Sequence, residues 1–265
     1  MLPIIDTHCH LDFAAFNSDR DRVLEECINN GVVDIVVPAV TQGSWQQTID
    51  LCRCDTKAKN GQPNLHLTLG LHPIFIEQHQ PQHLLELDQL VKKLKPKAIG
   101  EIGLDFYLRE LDQDKQQAFF DKQLIIAKQH RLPAIIHVRK AHDQCVLALK
   151  DIKLTGGIIH NFNGSIQHAF KYIDLGFKLG FGGMVTFDRS SRLRKLVEQI
   201  PLDSIVLETD APDLSPERHR GERNSPEYLP LVLDAVAKIK QLPREVVAET
   251  TTANARNILN LPRVC

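Results

Sequence analysis

The stretch IIDTHCHLD, Ile4 to Asp12, sets two apolar residues directly before a pair of histidines, His8 and His10, spaced one residue apart. Alternate residues of a strand share a face. Both imidazoles are therefore expected to point the same way at the end of a buried strand. Whether that makes a reactive site depends on how many such strands the chain contains and which polar side chains end them.

Seven further short apolar runs follow: DIVVPAV, LHLTLGLH, KAIGEIGLD, PAIIHVR, GGIIHNF, FKLGFGGMV and SIVLETD. Most are rich in Val and Ile, as expected for strands buried on both faces. Helical patterns lie between them. Ser18 with Asp21 gives a capping-box signal, and Gly31 is placed to end that helix. Phe120, Leu124 and Ala127 share a helical face. Ser165 is placed to cap the helix that runs toward Leu175 and Gly176. Ser225-Pro226 offers a cap and a first turn, with Pro230 leaving that start open by a turn, and Pro243 opens the last helix. About eight strand–helix units, with no Gly/Ser or Pro-rich linker, predict one domain over 1–265, a single (β/α)8 TIM-type barrel. A doubly wound open sheet is the alternative. It lacks support, because no Gly-rich phosphate fingerprint follows the first strand.

The 265 residues, 43% hydrophobic and 25% charged, read as a soluble globular chain able to bury one large core. A net charge of −1 argues against an indiscriminate grip on nucleic acid but leaves room for a local basic rim. Cys9, Cys27, Cys52, Cys54, Cys145 and Cys265 follow no repeating frame, so they are expected to be free thiols in a reducing compartment. Cys52 and Cys54 lack the second pair that a zinc site needs. No basic leader and no apolar run of about 20 residues is present. The cytoplasm is the expected location, with no membrane contact and no obligate protein partner evident.

The reactive residues fall at the C-terminal ends of the expected strands. His8 and His10 end the first, His72 the third, and Glu101 and Asp105 lie late in the fourth. His137 and Arg139 end the fifth, His160 the sixth, and Glu208 and Asp210 the eighth. In a parallel barrel those ends meet at one mouth. Singly, each has an ordinary explanation, such as a hydrogen-bonded histidine or a capping carboxylate. Together, His8, His10, His137, His160, Glu101 and Asp210 would be costly to bury without a cation. Imidazole with carboxylate suits Zn2+, Mn2+ or Fe2+ and tolerates Mg2+ less well. One tetrahedral catalytic ion takes three protein ligands and keeps a position open. Six ligands therefore match two ions, with Glu101 as the natural bridge.

In order along nearly the whole chain, DTHCHLD, GLHP, GEIGLDFY, IIHVR, HNFNG and ETDAP resemble the signatures of the TatD-like metal-dependent hydrolases of the amidohydrolase superfamily. The resemblance implies a (β/α)8 barrel, two divalent cations (Zn, Mn or Mg) and phosphodiester hydrolysis, with DNase activity in some members. It assigns His8, His10, Glu101 and Asp210 to one ion. Glu101 would bridge to a second ion held by His137 and His160. The sixth-strand signature resembles HCFSG, whereas this chain has HNFNG. Asn161 and Asn163 thus leave His160 in place and change the loop beside it.

The expected chemistry is attack by a metal-activated water, oriented and deprotonated by Asp210, with Glu101 and Glu208 completing the catalytic set. Glu208 shares Asp210's face and is expected to hold a ligand histidine in its tautomer. Asp12 and Asp105 are weaker candidates for such a role. Expected substrate contacts are His72, Arg139, Arg220 and Arg223, with Arg218 in the same ERHRGERNSP run, although a charge run equally reads as a solvated loop. Phe106 and Tyr107 either stack on a base or fill the rim. The substrate is then a nucleic acid or another phosphoester. The alternative is a small-molecule hydrolase of amides, lactones or phosphate esters on the same metal site. In that group a carboxylated Lys often bridges the metals, and Glu101 in that place favours the phosphodiesterase. A non-catalytic binding protein is a third class, disfavoured because no ligand is missing.

Overall fold

Eight parallel strands pair in strict chain order: β1 (Ile4–Asp6), β2 (Val32–Ala39), β3 (Asn64–Leu69), β4 (Ala98–Asp105), β5 (Ala134–Arg139), β6 (Gly157–Ile159), β7 (Phe177–Phe181) and β8 (Ile205–Leu207). The computed structural model describes residues 2–54 and 61–262. Cys265 and the side chain of Cys54 lie outside that description. Between the strands run α1 (Arg20–Asn29), α2 (Trp45–Cys54), α3 (Pro81–Leu94), α4 (Gln113–His130), α5 (His142–Ile152), α6 (Ile166–Asp174) and α7 (Ser191–Gln199). Two helices, α8 (Leu229–Lys240) and α9 (Arg244–Leu259), follow the last strand. This is the (β/α)8 barrel. Among the described residues no helix is long and apolar enough to cross a membrane.

The barrel closes at its mouth. Thr7 N–H donates to the Leu207 carbonyl at 3.0 Å, Asp210 N–H to His8 O at 2.9 Å, and His10 N–H to Ala211 O at 2.8 Å. The residues that carry the histidines and Asp210 thereby form the seam between β1 and β8. Inside, Ile5, Val36, Ala98, Ile135, Ile158 and Val206 make one apolar cluster, which Ala255 and Leu259 of α9 close from the opposite end. The larger core packs the other strand faces against the helices. Burial drives both layers, since a buried Ile or Val contributes about 1.5–3 kcal/mol.

Several boundaries differ from expectation. β1 stops at Asp6, β6 at Ile159 and β8 at Leu207, so His8, His160 and Asp210 lie just past strand ends. Asp210 is turned inward by a left-handed backbone, φ 59°, rather than by strand alternation. His72 stands three residues beyond β3 and caps the turn Pro73–Gln78. The expected seventh strand ends at Phe181, because Gly183–Thr186 forms a 3-10 turn. Ser18 does not cap α1. Asp19 occupies that cap without a capping bond, its carboxylate being committed to Arg22 and Arg223. Ser165 does cap α6, accepting from His168 N–H at 3.2 Å. Gly31 ends α1 with φ 83°, Pro226 opens a short turn before α8, and Pro243 precedes α9. Phe120, Leu124 and Ala127 are buried together along α4. Cys9, Cys27 and Cys145 are buried free thiols, and burial pushes each thiol up, Cys145 to about 12.

Candidate metal centre

Glu101 stands at the middle of the mouth, where the pairing of β4 with β5 shifts register between Ile99 and Ile102. Gly103 lets the two strands approach there. Its φ is 149°, and an added Cβ would lie 1.8 Å from the His137 carbonyl. The two oxygens of the Glu101 carboxylate face different partners. Oε2 lies 3.1 Å from His8 Nε2 and 3.6 Å from His10 Nε2. Oε1 lies 3.1 Å from His72 Nε2 and 3.2 Å from His137 Nδ1. Asp210 Oδ1 completes the first side, 3.8 Å from both His8 and His10 and 3.4 Å from His160 Nε2.

Second partners orient these rings. His137 Nε2 donates to Asp105 Oδ2 at 3.0 Å, which leaves the Nδ1 lone pair directed at Glu101. His160 Nδ1 lies 3.0 Å from Glu208 Oε1, a charge contact without hydrogen-bond alignment, and its ring stacks on His8 with centroids 3.5 Å apart. Glu208 Oε1 is itself held by Asn161 N–H at 2.6 Å. His72 is different. Its Nδ1 accepts from Ile74 N–H at 3.1 Å, so in the neutral ring Nε2 carries the proton toward Glu101. That tautomer makes His72 a donor at the site rather than a ligand.

The ionisation states of the two carboxylates and of His8 suit a cation. Burial pushes the Glu101 carboxyl up, but the charges of His72 and His8 and hydrogen bonds from His137 and His72 outweigh it and hold it well below the usual range. Burial likewise raises Asp210, and His160, His8 and His10 outweigh it. Burial, with His160 alongside, pushes His8 down, and burial lowers His72 to about 4. Burial also lowers His137 and His160, but Asp105 and Glu101, and Glu208 and Asp210 respectively, more than offset it. Ionised carboxylates and neutral imidazoles are the forms that bind metal, so Glu101, Asp210 and His8 are poised for an ion, whereas an ion at His137 or His160 has to displace a proton. His8 Nε2 and His10 Nε2 approach to 3.3 Å while both Nδ1 atoms are buried without a partner. Two lone pairs aimed at one point fit a shared cation better than a hydrogen bond. Three groups converge closely enough for an ion: His8, His10 and Asp210; His8, Glu101 and His160; and His72, Glu101 and His137, where His72 in its neutral tautomer turns a proton rather than a lone pair to the site. The resemblance paired His137 with His160; in these groups each stands with Glu101 in a separate set.

Of the other expected residues, Arg139 lines the cavity beside His137, and the rest are scattered. Arg139 is exposed, its guanidinium 3.7 Å from the centroid of the exposed Tyr107 ring, and Phe106 packs against the core. Arg223 is bound twice to Asp19, at 2.8 Å each, and lies over Phe16, so it clamps α1 rather than facing the mouth. Arg220 and Arg218 are exposed on and after the turn Glu217–His219. Asp12 accepts from Thr48 Oγ1 at 2.7 Å and makes no hydrogen bond to a ligand histidine. A cavity of about 780 Å3 opens from His137, His160 and Asp210, and Asn161 and Asn163 line it. Arg189 and Arg192 also line it and were not among the expected contacts. Asp6 was missed as well, although it shares strand parity with His8 and accepts His8 N–H at 3.1 Å.

A parallel barrel with imidazoles and carboxylates gathered at its mouth defines a metal-dependent hydrolase of the barrel type. The chain belongs to the TatD-related DNase family, whose model matches residues 5–260. It is 37% identical over 262 residues to an uncharacterized metal-dependent hydrolase of Escherichia coli K12, YjjV, covering 97% of this chain and 98% of that one. The crystal structure of YjjV, a TatD homolog, matches with a TM-score of 0.90 at 34% identity over 98% of both chains. An uncharacterized metal-dependent hydrolase of Bacillus subtilis, YabD, is 32% identical over 97% of this chain and 99% of its own. A TatD family hydrolase from Entamoeba histolytica shares the fold, with a TM-score of 0.86 at 22% identity.

Proposed function

We propose that the protein hydrolyses phosphodiester bonds of nucleic acids, using two divalent cations bridged by Glu101. The observation that carries this reading is the division of the Glu101 carboxylate, with Oε2 toward His8 and His10 and Oε1 toward His137. His8, His10 and Asp210 would hold one ion and His137 the other, and His160, between Asp210 and Glu208, completes the set. Bound divalent cations supply Lewis acidity for activating water and charge for neutralising phosphoryl oxygens.

The chain's own groups do the rest. Asp210, held ionised, accepts the proton of the attacking water as its oxygen bonds to phosphorus and the P–O bond to the leaving group breaks. His72, protonated on Nε2 by the constraint at Nδ1, donates to a phosphoryl oxygen. Asp105 and Glu208 keep His137 and His160 oriented. Buried, unreactive thiols suit work in the cytoplasm.

The test is metal-loaded protein assayed on single-stranded DNA, RNA, and a panel of phosphate, amide and lactone esters. Elemental analysis is expected to find about two ions per chain, falling in Glu101→Ala. Turnover of amides or lactones with none on any nucleic acid would overturn the reading in favour of a small-molecule hydrolase. Unchanged metal content in Glu101→Ala would remove the bridge.

A further inference from the structure

His137, His160 and Asp210 share their cavity with groups that the proposed reaction does not use. Three guanidinium groups line the same cavity, from Arg139 at the end of β5, from Arg189 just before α7 and from Arg192 in its first turn. Among the described residues none of the three has a carboxylate within ion-pair distance. Arg139 lies on Tyr107, and Arg189 lies 5.1 Å from the Phe187 ring centroid. Arg194, a short step further along α7, is by contrast engaged, bonding the Val185 carbonyl at 3.0 Å with Asp188 at 3.5 Å. Three like charges around one concavity repel each other, and an anion held among them relieves that cost. Asp213 is the one carboxylate lining the cavity apart from Asp210.

Met184, Leu193 and Leu196 give the same cavity an apolar part of its lining. A cavity of about 780 Å3 is larger than a lone phosphoryl group needs. Guanidinium, apolar and metal-donor groups within one cavity match the phosphates and base of a nucleotide chain. A simple phosphodiester would leave the arginines unused.

Building on the phosphodiesterase reading, we infer that Arg189 and Arg192 bind the phosphate one nucleotide away from the scissile one, with the intervening base against Met184, Leu193 and Leu196. The protein then selects a nucleotide chain that carries a second phosphate next to the bond it cuts. Arginine suits this role, since its planar fork pairs two donors with two phosphate oxygens.

The experiment compares kcat/KM for a 5′-phosphorylated thymidine dinucleotide with that for bis(4-nitrophenyl) phosphate, in metal-loaded wild type and in Arg189→Ala, Arg192→Ala and the double variant. The dinucleotide is expected to be preferred by wild type. Its KM should rise about tenfold in each single variant, and the preference ratio should fall about a hundredfold in the double variant. Both arginines are exposed, and thermal melts of the single variants check that the fold is kept. Cleavage of both substrates with a ratio that moves less than twofold in the double variant overturns this inference and leaves the phosphodiesterase reading standing. Failure of wild type to cleave either diester overturns both.

Discussion

Thr209 and Asp6 are 203 residues apart and joined twice: Thr209 N–H donates to Asp6 Oδ1 at 3.0 Å, and Thr209 Oγ1 donates to Oδ2 at 2.6 Å. His8 N–H donates to the same Oδ1 at 3.1 Å. One buried carboxylate therefore ties the backbone of His8 to that of the residue before Asp210. Replacing it strands three donors at the barrel seam. Asp6→Ala is expected to weaken metal binding ten- to a hundredfold, as loss of a group orienting ligands does. Metal titration checks it, and wild-type affinity in a folded variant would show that the seam holds the ligands without Asp6.

Gly180 sits against Glu208, where an added Cβ would lie 2.2 Å from Oε2. The carboxylate has no free direction, because Oε1 is held by Asn161 N–H and faces His160. Gly180→Ala is expected to displace Glu208, cost about 1–3 kcal/mol in stability and lower kcat by about tenfold or more. Glu208→Ala should lower kcat comparably. If Glu208 is the route, the double variant is no worse than either single one, whereas additive losses would separate the two effects.

These two contacts show where sequence reading stops. The strand–helix alternation and the gathering of His8, Glu101, His137, His160 and Asp210 at one mouth were legible, because burial of Val and Ile runs and parallel topology dictate both. The inward turn of Asp210 was foreseen for the wrong reason, since parity was expected and a left-handed residue delivers it. Gly180 gave no signal, because its role is the absence of a side chain opposite a residue 28 positions later. Arg189 and Arg223 look alike in sequence. Only packing shows that Asp19 engages one while the other faces the cavity.

At the opposite end of the barrel, Asp34 accepts from Arg256 Nη2 at 2.7 Å and pairs with His66 Nε2 at 2.8 Å. Burial pushes its carboxyl up, but His66, Asn64 and Arg256 outweigh that and hold it low. Asp34→Ala leaves Arg256 and His66 with no counter-charge and is expected to cost about 3–5 kcal/mol. Metal content should stay at the wild-type level, since no metal donor touches this cluster. Urea denaturation together with elemental analysis measures both, and a loss below about 1 kcal/mol would show the cluster to be dispensable.

His142 makes stability depend on pH away from the metal donors. Its pKa is lowered to about 4, first by burial and then by the charges of His168 and Arg192, against Asn163 and Asp143, which favour the charged ring. Tyr172 Oη faces its Nδ1 at 3.2 Å, and Phe162 packs against the ring. In the unfolded chain the ring titrates near about 6.5. Between those two values the unfolded state takes up a proton that the folded state refuses. Stability is therefore full above about 6.5 and falls as pH drops toward 4. Because the ring is partly exposed, the loss between pH 7 and pH 5 is set at about 1 kcal/mol rather than the full linkage value. His142→Gln removes this contribution and keeps a polar group beside Asn163. Urea denaturation at both pH values should show wild type losing about 1 kcal/mol more than the variant on acidification. Equal losses would assign the acid sensitivity to other groups.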